Sequence, residues 1–167
     1  MESHFTKIKT VLVANRGEIA CRIIQSCKQL GLKSVSIFTK EDVDSLHVSS
    51  ADVAVLIKGV GASAYLDIEQ IVKVAKDHYC DVAVPGYGFL SENSDFAAAL
   101  EKEGIVFAGP SPESVKLFGL KHFARDIASK NNVPIVPGSD LIEKESDVIE
   151  CANKIGYPIM LKATAGG

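Results

Sequence analysis

Apolar residues fall into short unbroken runs separated by stretches in which they recur every three or four positions. Val11–Ala14, entered through Thr10, is a β-branched run of the kind found in strands buried on both faces. Asn15-Arg16-Gly17 reads as a turn, and Glu18–Leu30 as a helix with Ile19, Ile23 and Leu30 on one side. Gly31 stands where a left-handed residue ends such a helix. Ser34–Thr39 is a second strand, completing a β-α-β unit. The alternation continues with strands at Val53–Ile57, Asp81–Val84 and Ile105–Ala108. Between them lie a helix from Asp67, with Gln70 completing a capping box, to about Asp77, and an alanine-rich helix at Asp95–Glu103 closed by Gly104. Strands alternating with helices predict an α/β fold with a parallel sheet covered on both faces.

The texture changes near residue 115. Ser111-Pro112-Glu113 opens a helix, with a cap, a proline at the first helical position and an acid in the first turn. Lys116–Asn131 then reads as one long helix or two hinged at Gly119. Prolines bar 133–138 from being a central strand. Glu143–Ile155 is helical, Gly156 stops it, and Tyr157–Leu161 is a final apolar strand leading to Lys162 and Gly166-Gly167. Residues 1–115 are expected to form one domain and 116–167 connecting helices and the start of a second.

Composition narrows the class. Apolar residues make up 47% of the 167, enough for a core. A net charge of −3 gives no basic field for nucleic acid or an anionic membrane surface. Cys21, Cys27, Cys80 and Cys151 form no C-x-x-C pair and are expected to be buried, reduced thiols. His4, His47, His78 and His122 lack the i, i+4 spacing of a helical metal site, so no metal cluster is expected. Neither a signal peptide nor a membrane-spanning run stands out, and the expected location is the cytoplasm.

Four places carry candidate chemistry. Pro85–Asn93 (P-G-Y-G-F-L-S-E-N) follows a strand, where ligand sites form in open α/β sheets. Gly86, Tyr87, Gly88, Ser91, Glu92 and Asn93 there make either a ligand loop or a tight turn that caps the next helix. Asn15-Arg16-Gly17-Glu18 is either an anion contact at a helix start or the seat of an Arg16–Glu18 ion pair. Gly59-Val60-Gly61-Ala62-Ser63-Ala64 partly matches a dinucleotide fingerprint, but the following helix begins late. Lys162, between an apolar run and glycines whose N–H groups can approach phosphate oxygens, suits a phosphate ligand; Lys121 is a weaker candidate.

These runs, read in order, resemble the biotin carboxylase component of biotin-dependent carboxylases. The resemblance rests on VLVANRGEIACRII (11–24), VPGYGFLSENSDFA (84–97), VFAGPSPESVKLFG (106–119), VPIVPGS (133–139) and IGYPIMLKATAGG (155–167). It implies a Rossmann-like pre-ATP-grasp domain followed by the truncated start of an ATP-grasp lid. It also implies an enzyme that uses MgATP and bicarbonate to carboxylate biotin. Lys121, Lys162, Gly166 and Gly167 would contact ATP. Gly86, Tyr87, Gly88, Glu92 and Asn93 would border the carboxylation site, and Arg16 would lie near a surface used for homodimers. Partners would be biotin carrier and carboxyltransferase regions.

Val84 stands where most members of the family carry histidine before Pro-Gly-Tyr-Gly, and Leu120-Lys121 where many have Asp-Lys. Both features resemble the urea carboxylase branch, whose product is allophanate, with pyruvate or acyl-CoA carboxylase as the alternative. The Mg²⁺ carboxylates and the base for biotin would lie beyond Gly167, so the 167-residue chain alone is expected to be inactive and to bind ATP, Mg²⁺ and biotin at most weakly. A nicotinamide-dependent oxidoreductase built on Gly59–Ala64 and a non-catalytic dimerisation module are the rival readings.

Overall fold

A computed structural model describes residues 8–139 and 141–163. Strands β1 (Thr10–Val13), β2 (Lys33–Phe38), β3 (Val53–Leu56), β4 (Val82–Val84) and β5 (Val106–Phe107) form one parallel sheet in the order β3-β2-β1-β4-β5. Helix α1 (Gly17–Leu30) links β1 to β2. A 3₁₀ turn (Lys40–Asp42) and α2 (Leu46–Ser50) link β2 to β3, two elements that hydrophobic periodicity does not reveal. Helices α3 (Gly61–Ala64) and α4 (Ile68–Asp77) precede β4, and α5 (Ser94–Lys102) precedes β5.

Alternating side chains send β1 into two cores. Val11, Val13 and Val82 pack with Ile19, Ala20, Ile23, Ile24 and Cys27 of α1. Leu12, Ala83, Val35 and Ile37 join Ile71, Phe96, Leu100 and Phe107 on the other face. Each fully buried isoleucine or leucine contributes about 2 kcal/mol, so these two layers hold the sheet together. Leu30 does not join Ile19 and Ile23; it is 72% exposed. Fourteen helical residues span about 21 Å, whereas the four of β1 span about 13 Å, so the last turn of α1 overruns the strand beneath it.

The local stop and start signals act as the chain predicts. Gly31 ends α1 at φ 68°, and the Asp67 carboxylate caps α4 by accepting the Gln70 N–H. The strand-order reversal lies between β1 and β4, which makes their carboxyl ends the crevice of the fold.

The described residues divide into two compact units that meet after Val115. Helix α6 (Pro112–Gly119) crosses that point, and α7 (Lys121–Lys130) and α8 (Glu145–Ile155) belong to the second unit. The stretch 116–131 is therefore two helices, parted at Leu120. Tyr157–Leu161 is not a strand: no described segment of its unit pairs with it, and Met160 and Leu161 remain exposed. All four cysteines are free, but only Cys27 and Cys80 are buried; Cys21 and Cys151 are half-exposed.

Candidate functional site

The crevice at the strand-order reversal is built by one buried asparagine. Asn15, two residues after the end of β1, donates from Nδ2 to the Pro85 carbonyl at 2.7 Å and to the Tyr87 carbonyl at 2.8 Å. Its Oδ1 accepts the Arg16 N–H. The loop it grips turns through left-handed residues: Gly86 and Gly88, both at φ 69°, take that conformation freely, while Phe89 at φ 39° is strained. A Cβ on Gly86 would come within 2.7 Å of the Ile19 side chain, so the loop also needs glycine for its close approach to α1. Tyr87 is 60% exposed at the tip and Glu92 is exposed beside it. Asn93 caps α5 by accepting the Phe96 N–H, so the capping role of this loop is real and sits alongside its exposed groups.

Arg16 does not pair with Glu18. Its Nε donates to Asp42 Oδ2 at 2.7 Å and its Nη2 to Asp42 Oδ1, a bidentate pair with a carboxylate from the 3₁₀ turn. Asp42 also accepts the Tyr65 hydroxyl at 2.7 Å, and that hydroxyl accepts the Thr39 N–H. The Tyr65 ring stacks on Phe89 at 5.1 Å between centroids. The Arg16 guanidinium holds the Asp42 carboxyl down to about 2, helped by Tyr65 and opposed by burial. Burial, then the bond to Asp42, pushes the Tyr65 phenol up to about 12. The carboxylate thus accepts and the phenol donates throughout the neutral range. His47 lies fully buried near this pair, and neither ring nitrogen meets a hydrogen-bond partner among the described residues. Burial depresses its pKa against the pull of the Asp42 carboxylate, so the ring stays neutral.

Asp42, Tyr65 and His47 carry no sequence signal. Asp42 is one of three acids in Glu41–Asp44, and its partners lie 26 and 23 positions away. Gly59–Ala64 forms only the one-turn helix α3, with α4 beginning at Ile68, which leaves no glycine loop opening a long helix.

In the second unit, Lys121 and Lys162 line a single cavity of about 1250 Å³ together with His122, Arg125 and Ile159. Lys162 is exposed and Lys121 half-buried. Lys144 and the carboxylates Glu143 and Glu145 border the same cavity. Gly166 and Gly167 lie outside the described residues. No group of three or more His, Cys, Asp or Glu among the described residues has the geometry to hold a metal ion. No helix among them is long and apolar enough to cross a membrane.

Residues 7–115 match the family described as biotin carboxylase, N-terminal domain, and residues 121–167 match the carbamoyl-phosphate synthase L chain, ATP binding domain. A putative urea carboxylase of Emericella nidulans is 50% identical over 161 residues, covering 96% of this chain and 13% of that protein. A biotin carboxylase of Halalkalibacterium halodurans is also 50% identical, covering 95% of this chain and 36% of that protein. The chain thus spans well under half the length of either relative. Among solved structures, the biotin carboxylase domain dimer of Hydrogenobacter thermophilus 2-oxoglutarate carboxylase, in complex with MgADP, ADP and bicarbonate, superposes with a TM-score of 0.90 at 43% identity. The match covers 96% of this chain and 36% of that one.

Proposed function

The chain belongs to the biotin carboxylase family, and from that membership we propose that it forms the front of an ATP-dependent carbon–nitrogen ligase. In this reading the intact enzyme uses MgATP and bicarbonate to make carboxyphosphate, carboxylates biotin, and passes the carboxyl group to urea to give allophanate. The observation that carries the reading is the convergence of Lys121 and Lys162 on one cavity. Their ammonium groups would hold nucleotide phosphates and offset the negative charge that grows on them during transfer. Gly166 and Gly167 would add backbone N–H donors to the same phosphates.

Biotin, when bound, supplies the ureido nitrogen that takes the carboxyl group. At the sheet, the exposed Tyr87 and Glu92, held on the Asn15-anchored loop, would border that reaction, with Gly86 and Gly88 keeping the approach open and Asn93 fixing the loop to α5. Mg²⁺ would be held by residues other than those described. Arg16, exposed beside α1, would border a homodimer surface, and biotin carrier and carboxyltransferase regions would act as partners. Urea is supported as acceptor by Val84 and Leu120 together with the 50% identity to a putative urea carboxylase.

The test is product formation by the intact enzyme that carries this chain: allophanate from urea, bicarbonate and ATP. Lys162→Met should raise the KM for ATP by about 30-fold or more, the worth of one charge-assisted contact. Carboxylation of pyruvate or an acyl-CoA instead of urea would move the protein to the other branch. An unchanged ATP KM in Lys162→Met would remove the phosphate role. The 167-residue chain alone is expected to release no phosphate from ATP in response to bicarbonate.

A further inference from the structure

Two loops at the carboxyl edge of the sheet are fastened to each other twice. Asn15 binds the backbone of the 85–87 segment directly. A second, indirect route runs from Arg16 through Asp42 to the Tyr65 hydroxyl, and from the Tyr65 ring to Phe89. Every member of this route except Arg16 and Phe89 is buried, with Tyr65 1% and Asp42 4% exposed. Phe89 is held at a left-handed φ of 39°, which its backbone does not favour on its own. A small cavity of about 180 Å³ at this point is lined by Arg16, Asp42, Tyr65 and Phe89, so the route is continuous in space.

We propose that Tyr65 is a positioning residue, whose hydroxyl on Asp42 sets the ring that holds Phe89, so that the Arg16 turn and the 86–93 loop are ordered together. The inference rests on the reading of that loop as the border of the biotin carboxylation site. Loss of the hydroxyl leaves the ring in place but frees its orientation, and the loop then samples conformations that do not present Tyr87 and Glu92 together. The Arg16 side chain, which shares the Asp42 carboxylate with Tyr65, loosens at the same time. Ligation or oligomerisation that immobilises Arg16 would, by the same reciprocity, order the loop.

Hydrogen exchange on the 167-residue chain tests the link without any ligand. Reporter amides are those of Arg16 and Ala20 on one side and Ser91 and Asn93 on the other, each hydrogen-bonded in the structure. Asp42→Asn perturbs the first side and Phe89→Leu the second. Each is expected to quicken exchange on both sides by about threefold to tenfold, and the double variant less than the product of the two. Tyr65→Phe should reproduce the effect of either. The amides of Lys33 and Asp81, at the opposite edge of the sheet, should keep their rates.

Changes confined to the perturbed side, or an equal rise at Lys33 and Asp81, would overturn the link; if Tyr65→Phe does not fold, the other two variants still decide. In the intact enzyme, Tyr65→Phe should raise the KM for free biotin about threefold to tenfold and leave the KM for ATP within about twofold. An unchanged biotin KM despite faster exchange would overturn the positioning role. An unsubstituted enzyme that carboxylates no biotin would instead sink the functional reading, and the exchange pattern would still judge the link.

Discussion

The two edges of the sheet are tied by the same kind of bond and to opposite ends. At the amino edge, one Asp81 oxygen accepts the Lys9 and Thr10 N–H groups at 2.8 and 2.9 Å, and one Asp52 oxygen accepts the Ser34 N–H and hydroxyl at 2.7 Å. Left-handed residues occur there singly, at Gly31, Tyr79 and Gly104, each following a helix that has just ended. At the carboxyl edge three of the four residues 86–89 are left-handed, and the ties come from Asn15, Asp42 and Tyr65. A single left-handed residue closes a helix at little cost. Two of the three are glycines, which take that conformation freely; Phe89 alone is strained, and it is the one held by the ring of Tyr65, as strained residues at ligand sites are held by their surroundings. The amino edge is therefore expected to carry stability alone and the carboxyl edge stability and function together.

The largest expected effect comes from cutting the tie that grips the loop. Asn15→Ala leaves the buried Pro85 carbonyl and the Tyr87 carbonyl without their donor and should lower stability by about 3 kcal/mol. Denaturant unfolding measures it, and the intact enzyme should lose biotin carboxylation by a larger factor than the stability loss explains. Asp81→Ala sharpens the contrast. It removes one acceptor from two part-exposed N–H groups and should cost about 1–2 kcal/mol while leaving catalytic constants untouched. A loss of activity in Asp81→Ala at a temperature where the protein is folded would erase the distinction between the edges.

Much of the scaffold could be read from the chain because its signals are local. The Asp67–Gln70 cap, the glycine stop at residue 31 and the β-branched runs each sit within a few positions of what they specify. The 85–93 loop was visible for the same reason. The carboxyl-edge network was not: its carboxylate and its phenol come from segments with no periodic pattern, and only the folded chain brings them to Arg16. Leu30 misled because its angle on the helix is right while the sheet ends before it. The strand expected at Tyr157–Leu161 depended on a partner strand, which no property of the segment itself supplies.

The smallest effect concerns acid. His47 is neutral when folded because burial disfavours its cation, so its folded pKa lies below the unfolded value of about 6.5. As pH falls below that value the unfolded chain takes up a proton that the folded chain resists, and stability declines. Asp42, whose carboxyl is depressed to about 2, adds a second decline from about pH 4 down to its folded value. Thermal unfolding at pH 7, 6, 5, 4 and 3 should show a falling midpoint, and His47→Gln should flatten the segment above pH 5 while leaving the Asp42 segment below pH 4 in place. An unaltered slope in His47→Gln would assign the decline to other groups.

The placement of the four cysteines has a practical use. Burial pushes the Cys27 thiol up and that of Cys80 to about 11, so thiolate-seeking reagents pass both by. Cys21 on α1 and Cys151 on α8 are accessible in part, and they fall one in each compact unit. A donor and an acceptor dye attached to the unmodified sequence would therefore turn the molecule into a ruler for the spacing of its own two halves, with no engineered handle needed to read it.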